Sequence, residues 1–355
     1  MNAFLALAVM ILGAALLVAL PLAPAVVELR RKSDAEPLRV VHEHAGEIRY
    51  FADGFRQYVG ALEPVIQRSA ESGRASPGSM RDGTRYLVLG SSSESFLQPA
   101  KERGSCDVLI AAANDLRLPA GVSFAKDIFA KGNVFGEAGN QYRSIFGEQN
   151  IHLSASSVVL RWTHANAKFT ADQGCTLYGR VSSNRCLRLA VDCAFSRLNA
   201  PRIELGHTGH AEANAVAAFL PQPSNQPIPE RQLLDGDFKL HEGQVFHGNL
   251  IVRGKLRIGR GARIYGSVKS GKDLQVEEDV AVSGSLMSAR NMSIGRNCSI
   301  HGPVIAERKI AVRTGSQCGA AESPTTVSAP RIVVEEGSVV FGTLWAREAG
   351  CVVAK

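Results

Sequence analysis

The clearest pattern in the chain is a pair of aliphatic residues separated by one position, recurring on a fixed step. Leu256/Ile258 is followed by Leu274/Val276, Met292/Ile294 and Ile310/Val312, each pair 18 residues after the last. Ile332/Val334 comes 22 residues later, and Ser323-Pro324-Thr325-Thr326 reads as a loop inserted there. Glycines keep the same step at Gly248, Gly266, Gly284 and Gly302, and Gly319 and Gly342 continue the series. Positions taken every six residues from Ile258 to Val312 read large, large, small in each period. A period of this kind predicts coils of three short strands, stacked because no coil can bury its own inner face. Glycine is expected at the corners, where left-handed backbone angles exclude most side chains. The outward positions are polar, among them Arg253, Lys255, Arg257, Arg260, Arg263, Lys269, Lys272, Glu277, Glu278 and Asp279. The expected fold class is an all-β solenoid, a β-helix with coils of about 18 residues. Its hand does not follow from spacing.

The same ruler fits an earlier stretch more loosely. Leu116, Val134, Ile151, Phe169, Leu187 and Ile203 stand 18, 17, 18, 18 and 16 residues apart. This predicts a first β-helical block over 84–206. A Pro/Gln/Ala-rich linker follows over 207–234, and the second block occupies 235–355.

Upstream, residues 2–27 carry no charged side chain. That run is long enough to cross a bilayer as a helix and predicts a transmembrane anchor over 1–28. Arg30, Arg31 and Lys32 follow directly, and a cationic cluster there favours a cytoplasmic position for this flank. Ala23-Pro24-Ala25 resembles a signal-peptide cleavage site, but the basic stretch of a secretory signal does not precede the apolar run. Residues 29–83 then hold the basic cluster, a helical spacer and a linker. Ile48, Phe51, Phe55, Tyr58, Val59, Leu62, Val65 and Ile66 recur at helical steps. Such a helix caps or rests on the next domain, self-associates, or lies along a membrane. Gly73, Pro77, Gly78 and Gly83 mark 72–83 as a flexible linker.

Residues 235–355 resemble the bactofilins, bacterial polymer-forming cytoskeletal proteins. The resemblance rests on Asp235-Gly236-Asp237-Phe238, on Val245-Phe246-His247-Gly248-Asn249-Leu250-Ile251-Val252, on Ile264-Tyr265-Gly266 and on Val282-Ser283-Gly284, together with the step. It implies a right-handed β-helix, end-to-end self-association without nucleotide, and a scaffold that positions cell-envelope enzymes or polysaccharide machinery at the bacterial inner membrane. The full transmembrane run, the first block and the inserted loop depart from the simple pattern, so an extra element capping one end is a live alternative to free polymerisation.

Composition changes this picture little. The chain has 355 residues, 45% hydrophobic and 6% aromatic, with 34 glycines and a formal charge of +7. The basic residues are spread over coils with few aromatics to stack bases, which argues against nucleic acid as a partner. Seven cysteines, an odd number without a C-x-x-C pair, suit a reducing compartment better than a disulfide framework. No cofactor or metal site is expected. His207, His210 and Glu212 read as a linker turn rather than ligands. The chain carries no P-loop, dinucleotide fingerprint or nucleophile elbow. The enzymatic alternatives are a hexapeptide-type acyltransferase, with His301 its best candidate base, and a carbohydrate-active β-helix, for which Glu277, Glu278 and Asp279 are better read as a solvated turn. A secreted envelope protein follows if the N-terminal run is cleaved. The favoured reading is not an enzyme but a single-pass, cytoplasm-facing scaffold. An uncapped last rung, Val339 to Trp345, places Phe341, Leu344 and Val352 at a self-association end.

Overall fold

The computed structural model describes residues 49–90, 94–206 and 231–355, and single positions between 10 and 22. The chain divides into two compact units, Met1–Glu47 and Ile48–Lys355. In the first, Met10, Leu12, Leu16, Leu17, Leu20 and Leu22 are helical and exposed. Among the described residues no helix is long and apolar enough to cross a membrane. Most of the expected anchor, with Arg30, Arg31 and Lys32, lies outside the described residues.

The second unit is an all-β solenoid of about 12 coils of about 18 residues, in two blocks. In the second block Leu256–Ile258 pairs in parallel with Leu274–Val276, which pairs with Asn291–Ile294, which pairs with Lys309–Val312. The dyad residues are the inward ones: Leu256, Ile258, Leu274, Val276, Met292 and Ile294 are buried, whereas Arg257, Gln275 and Ser293 between them are exposed. Alternation with period two therefore sets which side faces the core, and the 18-residue step sets which residues stack. The small members of each coil, Ser270 and Ser288, are buried and spend their hydroxyls on backbone carbonyls of Gly254 and Lys272 at 2.9 and 2.7 Å.

The corner glycines have two causes: Gly248, Gly319 and Gly342 take positive φ, as expected, at 121°, 78° and 108°, and the others are set by space. At Gly284 and Gly302 the constraint is space: a Cβ would stand 2.5 Å from the carbonyl carbon of Gly266 and of Gly284, one coil back. A second left-handed corner forms another row. In the second block it holds Gly243, Gly261, Asp279, Asn297, Gly315 and Gly337, all at positive φ. Gly121, Gly139, Ser156, Gly174 and Asp192 form the matching row of the first block. Asn and Asp tolerate this region better than other side chains, so the row does not show as glycine alone.

The first block repeats the plan from Leu109–Ala112 onward, through Ile128–Ala130, Gln141–Gly147, Val158–Ala165 and Thr176–Ser183 to Ala194–Leu205. Its interior is richer in rings: Phe124 stacks on Tyr142 at 5.4 Å, and Phe169 is fully buried. Two helices lie along one flank, α1 (Tyr50–Val59) and α2 (Glu63–Ser72), joined by a 3-10 turn at Gly60–Leu62. Their buried stripe of Ala52, Phe55, Val59, Leu62 and Ile66 packs on the outward side chains Val88, Ala111, Phe129, Phe146 and Trp162. Arg56 pairs with Glu148 at 3.1 Å, Lys131 pairs with Glu63, and Arg49 donates to Asn184 at 3.0 Å. The spacer thus rests on the following domain. The expected linker contains a strand, Ser76–Ser79, that pairs antiparallel with Arg85–Leu89 and covers the edge of the first coil. A third helix, α3 (Glu94–Arg103), closes that end by burying Leu97 and Ala100 in one core with Leu89, Leu116 and Val122.

Candidate functional site

The strand Ser338–Val353 is long because it is paired on both sides. On one side it continues the second block, parallel to Thr325–Glu335. On the other it runs antiparallel to Ala194–Leu205, the last strand of the first block. Ile203 faces Val340, Leu198 faces Leu344, and Ala194 faces Cys351. The two solenoids therefore meet C-terminal end to C-terminal end, and a single apolar core passes through the joint.

The joint is sealed by several kinds of contact. Leu198, Ile203, Leu344 and Val352 are 0% exposed. The Val352 amide donates to the Cys193 carbonyl and the Asp192 amide donates to the Val352 carbonyl, both at 2.9 Å. Asn199 donates its amide to the Thr343 hydroxyl at 2.9 Å. The Arg197 guanidinium lies 4.8 Å from the centre of the Trp345 ring, and burial pulls its pKa down, with Arg180 adding to the effect. Phe195 fills the space that a side chain at Gly350 would need. Glu335, beside the joint, is paired with Arg313 and accepts the Thr314 amide at 3.0 Å. Burial alone would raise its pKa, but these partners outweigh it and hold the carboxyl below its ordinary value.

Of the residues expected at a self-association end, Leu344 and Val352 are buried in this joint, and Phe341 is half-buried with its carbonyl beside Gly319. The end-on pairing expected of that rung is made within the chain. The signal for its partner was thin, because Ala194–Leu205 carries the same alternation as strands that pair in parallel.

The other candidates are dispersed. Glu277 pairs with Arg257, and Asp279 at the left-handed corner pairs with Arg260 at 3.2 Å, so these carboxylates occupy a turn braced by arginines. His301 is half-buried, its amide bonded to the Val282 carbonyl at 3.0 Å. His207, His210 and Glu212 lie outside the described residues. Among the described residues no group of three or more His, Cys, Asp or Glu is placed to hold a metal ion. A shallow groove of about 680 Å³ runs along the second block between Lys239, Arg257, Asp273, Gln275, Ser293 and Lys309. Asp273 there is held below its ordinary pKa by the backbone amide of Asn291 at 3.2 Å.

One polar chain escaped the sequence reading. His164 Nδ1 lies 2.7 Å from the Ser182 hydroxyl, and its Nε2 lies 3.1 Å from Asn166 Oδ1. A neutral ring satisfies both contacts: Nε2–H donates to Asn166, and Nδ1 accepts from Ser182. Both His164 and Ser182 are 2% exposed, with Phe146 against the imidazole, and burial lowers the histidine pKa. The arrangement holds the flank together rather than facing a substrate.

No protein-family model, curated protein or solved structure matches this chain.

Proposed function

We propose that the chain is a self-associating scaffold of bactofilin type, held at a bacterial inner membrane by its N-terminal segment, that displays cell-envelope partners along a rigid rod. One observation carries the reading: the end-on joint between Ala194–Leu205 and Ser338–Val353, in which two solenoid ends of this sequence pair directly, backbone edge to backbone edge, with a continuous apolar core. An edge strand that finds such a partner satisfies its amides and carbonyls, and one that does not is a template for another chain. The apolar run before Arg30, Arg31 and Lys32 supports the membrane part of the reading. The full chain, purified in detergent micelles, is expected to sediment as particles holding more than one chain. Single chains at every concentration would sink the scaffold reading.

A further inference from the structure

The solenoid ends are finished in three different ways. The N-terminal end of the first block is closed by α3 and by the strand Ser76–Ser79. The two C-terminal ends are spent on each other. The N-terminal end of the second block, residues 231–247, has neither treatment among the described residues. Among the described residues its strands Gln232–Leu234, Phe238–Leu240 and Val245–His247 pair only with the coil that follows them. Leu234, Phe238 and Phe246 continue the inward rows of Val252, Leu256 and Ile264, which are 0%, 1% and 0% exposed. On the end rung the same three are only half-buried, and Leu233 and Val245 beside them are 48% and 50% exposed.

Resting on the self-association reading, we infer that this rung docks on the same rung of a second copy about a two-fold axis, so that assembly closes at two chains. The occupant follows from the chain's own joint. There, a coil of this cross-section pairs with an inverted coil through an antiparallel edge and a shared apolar interior. A patch that meets its own copy about a two-fold axis closes and leaves no further end. The rim suits an inverted copy as well. The exposed charges of this rung are Arg231 and Lys239 on one side of the balance and Asp235, Asp237 and Glu242 on the other, with Asp235 paired to Arg253 of the next coil at 3.0 Å, a nearly balanced set on a chain whose formal charge is +7. An inverted copy therefore meets mixed charge rather than a like-signed face. With the opposite end of the rod capped by α3, the pair has no growing end, and a filament does not form.

The test uses the full chain in detergent micelles, with mass measured by sedimentation across a wide dilution range. Two chains per particle are expected. The double variant Leu234→Glu/Phe246→Glu is expected to halve the mass, while Met287→Glu, on an exposed side position of the same block, leaves two chains. Amide exchange on the wild type supplies a readout that needs no variant: the outward amides of 232–234 and 245–247 are protected in concentrated samples and lose protection on dilution. Particles that grow beyond two chains overturn the closed pair and leave self-association standing. A two-chain particle indifferent to Leu234→Glu/Phe246→Glu places the contact elsewhere and overturns the inference. Single chains with protected end-rung amides also overturn it, since the chain's own residues then cover the rung.

Discussion

The two blocks share a coil and differ on one flank. In the first block the outward row reads Ala111, Phe129, Phe146, His164 and Ser182, and α1 and α2 cover it. In the second the equivalent row reads Ile251, Lys269, Met287, Ile305 and Ser328, and Met287 is 37% exposed. The inner rows fold both solenoids; the outer row decides whether a flank is a surface or a second core. Rings at the outward positions create apolar area that must be covered, and the amphipathic stripe of α1 and α2 covers it.

That contrast can be broken from either side. The largest effect is expected from Phe55→Ala, whose ring packs tilted against Trp162, centroids 5.3 Å apart, beneath α1. It should cost about 3–5 kcal/mol in chemical denaturation, while Met287→Ala on the bare flank stays within about 0.5 kcal/mol. Equal losses would mean the flanks do not differ as described. Next, Leu198→Ala and Leu344→Ala should each cost about 2–5 kcal/mol. Because the two residues face each other, the double variant should lose less than the sum. Strict additivity would mean the blocks do not meet there. Gly284→Ala is expected to cost about 1–3 kcal/mol through the clash with the coil below. Gly261→Ala instead strains a left-handed corner that Asp279 and Asn297 occupy in the next coils, and should cost less. The smallest effect is a pH dependence confined to the covered flank. His164 has a lowered pKa in the folded state, so its contribution is fully present above the ordinary imidazole value of 6.5 and is lost as pH falls toward the lowered one. Melting curves of His164→Asn should lack that acid limb, and an unchanged limb would point to another group.

The coil itself was legible because stacking repeats the inner rows in register, and every six-step position from Ile258 to Val312 is buried. The first block was blurred for physical reasons. Its coils vary in length, and the register of Val158–Ala165 against Gln141–Gly147 shifts between Val159 and Trp162. Its outward rings also disguise the alternation that marks the inward row. The second left-handed corner was missed because Ser156, Asp192, Asp279 and Asn297 interrupt its glycines. The joint was illegible in principle. Inward and outward alternation fixes a strand's face but not the direction of its neighbour, and Leu344 alternates in the same way whether Leu198 runs with it or against it.

The joint also sets an order of events in folding. Each coil can form on the one before it, contact by short-range contact, as the chain lengthens. The joint cannot, since Asn199 and Thr343 are 144 positions apart. From the moment Ala194–Leu205 is in place until Ser338–Val353 arrives, the first block carries a long sticky edge. Non-local strand pairing is the slow step in such topologies, and an unpaired edge invites aggregation while it waits. The 18-residue step of the second block, kept from Leu256 to Val312, suits it to forming coil on coil without help from the first while that edge waits.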